Sequence, residues 1–278
     1  MGGARRAGGR KVITPPAVRN VVAVTGVIAA TSVVLSIVPP TTALGAVLAG
    51  PAPIPGFTLA KIVLLAAAAR WSAAARARLD AGHPARRPWG LLALGFAGLA
   101  AGHLSLGVEQ LVFEKPPFPF VSDALFVPAD ALLVAALYAF FRAYRSSELF
   151  PHAGTRRAAV VFAAAAVAIT AGVAITTARL PIPWTERATD IAYAVLDLGL
   201  LVPLALLVRF AHQLGGPVGL AWRILLGGFV VFTAADVSIG YLDALGIGPS
   251  YLASQLPFVV AYGLAAAGAR MQLAVMEG

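Results

Sequence analysis

The sequence predicts an all-α integral membrane protein with eight transmembrane helices built from repeated helical hairpins. Three observations predict it. Of the 278 residues, 59% are hydrophobic and only 12% charged, far from the balance of a soluble domain. The apolar residues fall in runs of about 20, the length that crosses a bilayer as a helix. These runs are rich in Ala and Leu and show no period-two alternation, which argues against a β-barrel.

The eight segments run roughly Val21–Val38, Phe57–Arg76, Trp89–Phe113, Ser122–Phe141, Ala158–Ala178, Ala188–Phe210, Trp222–Leu245 and Tyr251–Met271. Prolines mark the connections, as Pro39 and Pro40, Pro51 to Pro55, Pro116 to Pro119, and Pro181 with Pro183, because a helix cannot continue through them cheaply. Pro128, Pro203 and Pro257 fall inside segments. Residues 1–20 read as a basic tail, 21–272 as the transmembrane domain and 273–278 as a short second tail. A cleaved first segment would leave seven spans, but its apolar run is longer than a usual signal core. Met1-Gly2-Gly3 lacks the Ser or Thr of a myristoylation signal, with Arg6 in its place.

Charge sets the orientation. Assigning alternate connections to one side gathers all but four of the 21 Lys and Arg there, among them Arg5, Arg19, Arg76, Arg86, Arg142, Arg157, Arg209, Arg223 and Arg270. Lys115, Arg179 and Arg187 fall on the other side, and Lys61 lies within a helix. The positive-inside rule then places both termini in the cytoplasm and the protein in the inner (plasma) membrane. The net charge of +9 is thereby a topology signal with some attraction to anionic membrane lipid, and nucleic acid is not implied. With no cysteine, disulfides, thiol nucleophiles and thiolate metal sites are excluded. No zinc, serine-hydrolase or phosphate-loop motif occurs in a suitable context, and no metal or cofactor is expected.

A hairpin repeats at about 67 residues. "DALFVPADALL" from Asp123 matches "DIAYAVLDLGL" from Asp190, and "WGLLALGFAGLAAGHLSLG" from Trp89 matches "WRILLGGFVVFTAADVSIG" from Trp222. The second alignment pairs Gly95 with Gly228, Phe96 with Phe229 and His103 with Asp236. In the last segment Gln255 and Tyr262 stand where the others carry paired Asp. Seven residues rise about 10.5 Å and return to nearly the same face. Asp123 and Asp190 are therefore expected as interfacial caps, with Asp130 and Asp197 one stripe deeper. Asp236 and His103 repeat the deeper position on helices running the other way, and Lys61 and Glu109 lie near the outer level, all within the outer half of the bilayer. Asp243 sits at the outer end of its segment.

These residues lead to an expected outward-facing ligand pocket formed by Lys61, His103, Glu109, Asp130, Asp197, Asp236 and Tyr262. A charge at mid-membrane costs about 2.5–3.5 kcal/mol even on a lenient scale, whereas interhelical hydrogen bonds return on the order of 0.6. Packing alone is thus a weaker explanation for three deep Asp with a His and a Lys. Trp89, Trp184 and Trp222 are read as interfacial anchors, and no small-xxx-small pattern stands out.

Around "PPFPFVSDALFVPADALL" the chain resembles the multi-spanning N-terminal sensor region of bacterial membrane diguanylate cyclases and related signalling proteins. The matching positions are Trp89, Pro117 to Pro119, Ser122 with Asp123, Tyr193 with Asp197, and Ala235 with Asp236. His103 departs from the pattern by replacing an acidic residue, and Gly278 is followed by no effector domain. The resemblance implies a sensor or ligand-binding module that binds a small molecule and signals through a cytoplasmic protein or a missing effector domain. A weaker similarity, at Lys61, "AAD" to Asp236 and "AYGLAAAG" from Ala261, is to the eight-span lysoplasmalogenase-like family. It would imply a vinyl-ether lipid hydrolase using Asp236 and His103 as catalytic acid and base. A small-solute or proton-coupled transporter is the third reading.

Overall fold

The computed structural model describes residues 15–36, 54–113, 119–145, 154–178, 182–244 and 251–278. Among them every regular element is a helix: α1 (Pro16–Ser36), α2 (Ile54–Ala77), α3 (Arg86–Val112), α4 (Asp123–Tyr144), α5 (Thr155–Ala178), α6 (Trp184–Gln213), α7 (Gly216–Ala244) and α8 (Tyr251–Glu277). Each overlaps one of the expected segments. Six of them, α2, α3, α4, α6, α7 and α8, contain stretches long and apolar enough to cross a membrane, which is consistent with a multi-pass membrane protein. Val38, Leu245, the tail to residue 14 and the loops bearing Lys115 and Arg179 lie outside the described residues, as does the side chain of Asp243.

Helix ends follow local chemistry. Pro55 and Pro88 sit in the first turns of α2 and α3, where the missing N–H breaks no bond. Pro183 caps α6 at its start, so that helix begins at Trp184 rather than at Ala188. At the other end α8 continues through residues 273–277, which were expected as a tail. Gly216, with φ of 65°, takes the left-handed turn between α6 and α7 that a side chain would resist. Pro128, Pro203 and Pro257 lie within α4, α6 and α8 and each removes one helical hydrogen bond.

The six membrane-length helices close a ring: α2 packs on α3, α3 on α4, α4 on α6, α6 on α7, α7 on α8, and α8 back on α2. Outside the ring, α1 lies against α8 and α5 against α6. Apolar side chains such as Leu59, Val63, Leu94 and Val230 face outward, as a lipid-facing surface would require.

Glycines allow close approach at two seams. A Cβ on Gly95 or Gly98 would press into Leu133 and Ala129 of α4, and one on Gly228 would stand 2.7 Å from the Ala261 carbonyl of α8. Small residues thus set helix contact here after all, as they do where no hydrophobic drive separates helix from lipid. The sequence pattern hid this because Ala and Gly abound throughout.

Across the ring, Phe96 of α3 stacks on Phe229 of α7 with centroids 6.0 Å apart. Trp89, Phe140 and Trp222 form an edge-on aromatic group, with centroids at 4.9 to 6.1 Å. Trp89 and Trp222 are 0% and 3% exposed, so they are core residues, not interfacial anchors. Trp184 is exposed. The expectation failed because Trp beside Arg at a helix start looks the same whichever way its face turns.

One end of the bundle is basic. Arg78, in the α2–α3 connection, pairs with Glu277 at 3.3 Å, and Arg270 reaches the same carboxylate at 3.3 Å. Arg209 of α6 donates to the Gly154 carbonyl ahead of α5 at 3.3 Å. These contacts gather alternate connections at a common end.

Candidate functional site

Polar side chains occupy the half of the ring away from the basic end, in two levels. Glu109 and Asp123 make up the outer one. Glu109, near the end of α3, accepts from the Ser122 amide at 2.8 Å, the Val121 amide at 3.1 Å and the Ser105 hydroxyl at 3.0 Å. These amides belong to the turn that starts α4, where N–H groups have no helical partner. Glu109 therefore fastens α3 to the start of α4 and is not a member of the deeper cluster, although its depth on the helix suggested a pocket role.

Asp123 accepts from the Phe120 amide at 2.7 Å and from the Tyr193 hydroxyl at 2.6 Å. The first bond satisfies the start of α4, and the second ties α4 to α6. Asp190 occupies a different setting. Helix α6 starts six residues earlier, and its first turn is served by Glu186. Asp190 is half-buried within electrostatic reach of Glu186 and Asp123, so it does not cap the helix.

The inner level receives a polar group from every helix of the ring. Lys61 of α2 is 3% exposed and donates to Gln255 Oε1 of α8 at 2.6 Å, with Asp236 of α7 within electrostatic reach. It does not extend outward. His103 of α3 places Nε2 3.2 Å from the Tyr262 hydroxyl of α8, and its ring meets Phe126 edge-on at 4.9 Å. Gly102 makes that approach possible, since a Cβ there would collide with the Phe126 ring. Asp130 of α4 lies within electrostatic reach of Asp236 and of Asp197 of α6.

Asp197 and Asp236 face one another within hydrogen-bonding reach. A carboxylate has only acceptors, so a bond between two carboxyl groups requires one of them to hold a proton. Asp130 and Asp197 are 3% and 5% exposed, and each keeps one oxygen without a protein partner. His103 Nδ1 is likewise unpartnered. Thr233, buried one turn before Asp236, has an unpartnered hydroxyl directed by the same helix; neither it nor Tyr193 was singled out as a site residue. Their positions three residues before Asp236 and four before Asp197 carried that signal, since such spacings share a helix face.

The void inside the ring has a volume of about 10 Å³, and its lining is apolar apart from Tyr262, with Phe96, Leu133 and Phe229 on its walls. That is scarcely the room for one water, about 10–15 Å³. Of the inner cluster, only Tyr262 borders this void. Among the described residues no group of three or more Asp, Glu and His is gathered closely enough to hold a metal ion.

Comparison with protein-family models, with curated proteins and with solved structures finds no match.

Proposed function

We propose that the chain is an integral membrane sensor or ligand-binding module whose sensing element is the inner polar cluster. In this reading all eight helices span the inner membrane, both termini are cytoplasmic, and a cytoplasmic protein receives the signal. The positive-inside rule supports that orientation, because the basic end would face the cytoplasm and the polar levels would lie in the outer half. The repeated hairpin is supported by the cross-ring pairs: Phe96 meets Phe229, and Trp89 meets Trp222, which are the aligned positions.

One observation carries the reading. Six helices each bring a polar side chain to one level, while the ring on the cytoplasmic side of that level is dry. Residues 62–69, 90–102, 198–208, 224–235 and 263–269 contain no titratable group. In 131–141 the lone exception, Tyr138, is 40% exposed and turned outward. The shortest of these stretches is about 10 Å long, and Trp89, Phe140 and Trp222 close its far end. A site reached from one side and sealed on the other suits detection better than transport. The lysoplasmalogenase-like reading would need room for a lipid headgroup beside Asp236 and His103.

The output would pass through α8, which holds Gln255 and Tyr262 in the cluster and Glu277 in the ion pairs at the basic end. The absence of cysteine makes spin labelling straightforward. Labels at Gly82 and Gln213 in otherwise unaltered protein report the separation of the cytoplasmic ends of α2 and α6. Replacing Asp130, Asp197 and Asp236 together by Asn is expected to shift that distance distribution. An unchanged distribution in a folded triple variant would reject the sensing role.

A further inference from the structure

We propose that the ligand of the inner cluster is the proton, delivered from the outer face through the Asp123–Tyr193 hydrogen bond. This rests on the sensor reading and names what the sensor detects. The cluster has unfilled polar capacity in Asp130, Asp197, His103 and Thr233, and the void of about 10 Å³ that meets it at Tyr262 is otherwise lined by apolar groups. A proton needs no volume. A hydrogen bond between the facing Asp197 and Asp236 carboxyls would need one, and Asp130 adds a third carboxyl within electrostatic reach.

The route is set by two facing stripes. On α6, Asp190, Tyr193 and Asp197 follow one another at three and four residues, which places them on one face. On α4, Asp123 and Asp130 are seven apart, and α4 packs on α6. Tyr193 joins the levels: its hydroxyl donates to Asp123 at 2.6 Å and lies within electrostatic reach of Asp130 and Asp236. Glu186 and Asp190 stand half-buried at the outer end.

The transfer balances as follows. A proton from the outer solution adds to the Asp123 carboxylate. The Tyr193 hydroxyl swings inward and yields its hydrogen to an inner carboxylate while its oxygen takes the proton from Asp123. Tyr193 ends neutral, Asp123 returns to its carboxylate, and one proton has moved inward. The other titratable groups facing this path are Glu109 and His103 from α3, Lys61 from α2 and Tyr262 from α8. Glu109 is occupied by the α4 turn, and Lys61 supplies the positive charge nearest the inner carboxyls.

The test uses the full chain in liposomes, sorted by whether an N-terminal affinity tag is accessible from outside. Infrared difference spectra follow the carboxylic C=O band while pH is stepped on one side with an impermeant buffer. The band should rise only when acid is added on the side opposite the tag, and it should lose intensity in Asp197→Asn and Asp236→Asn. Tyr193→Phe should leave its final amplitude intact but slow its appearance on the order of a hundredfold, the scale of a lost proton-transfer group. Three results would overturn the proposal: a band that follows pH on the tag side, a band moved by sodium or potassium at constant pH, or an unchanged rate in Tyr193→Phe. The wild-type sidedness measurement stands even if a variant fails to fold. A band that behaves as expected while the Gly82–Gln213 distance never moves would sink the sensor reading and leave proton binding in place.

Discussion

Replacing Glu109 by Ala should destabilise the protein while leaving proton uptake by the inner cluster unchanged. The Glu109 carboxylate accepts three hydrogen bonds, and they are not equal. Val121 is 68% exposed, so its amide can find another partner outside the protein. Ser105 sits on the same helix and can turn to a backbone carbonyl. Ser122 is fully buried, and its amide would be left without a partner. A hydrogen bond to a charged acceptor contributes about 1.5–3 kcal/mol, and an orphaned buried donor costs about 1–3 kcal/mol. The expected loss is about 3 kcal/mol. At about 2–4 °C per kcal/mol for a chain of this size, the thermal midpoint in detergent should drop by roughly 6–12 °C. Glu109→Gln keeps one acceptor oxygen and should lose about half as much. Circular dichroism melts of the three proteins measure this directly. A drop of under about 2 °C in Glu109→Ala would mean that the α3–α4 fastening has no energetic weight. A carboxyl band altered in Glu109→Gln would show that the residue belongs to the proton site after all.

Lys61 and Asp236 should be coupled. They lie within electrostatic reach of one another, so Lys61→Met combined with Asp236→Asn should be less damaging than the sum of the single changes. Additivity within about 0.5 kcal/mol in unfolding measurements would show that the two do not interact. Gly228→Ala should cost about 1–3 kcal/mol, because its Cβ would meet the backbone of α8. The neighbouring Gly227→Ala has nothing within 4 Å and should be neutral or stabilising by up to about 1 kcal/mol; equal melts for the two would contradict the close seam. Glu277→Gln breaks ion pairs with Arg78 and Arg270, whose side chains are 57% and 22% exposed. Its effect on the melt should be no more than about 1 kcal/mol, with any larger shift pointing to a role for this pair beyond a surface contact.

How far the sequence could be read depended on whether the answer was local. Helix positions were legible because hydrophobic run length and proline placement are properties of single segments. The inward direction of Asp130 and Asp197 followed from the seven-residue spacing, which is also local. Glu109 could not be told apart from the pocket residues within its own helix, because what occupies it is a turn contributed by residues 121 and 122 ahead of the next helix. Asp190 was misplaced by the four-residue error at the start of α6, where Pro183 and Trp184 begin the helix on the polar side of the apolar run. The aromatic group of Trp89, Phe140 and Trp222 joins three helices, and no spacing within one helix could reveal it.

The bond between Lys61 and Gln255 closes the ring, and it joins residues 194 apart in the chain. At about 5–20 residues per second of synthesis, the last helix follows the second after about 10–40 s. Through that interval Lys61 is a charged side chain in the membrane without its eventual acceptor. If α2 enters a bilayer before α8 is made, the lysine must meet other polar partners, such as lipid headgroups, over that interval. Lengthening the connections before α8 would extend that wait without altering one contact in the finished protein.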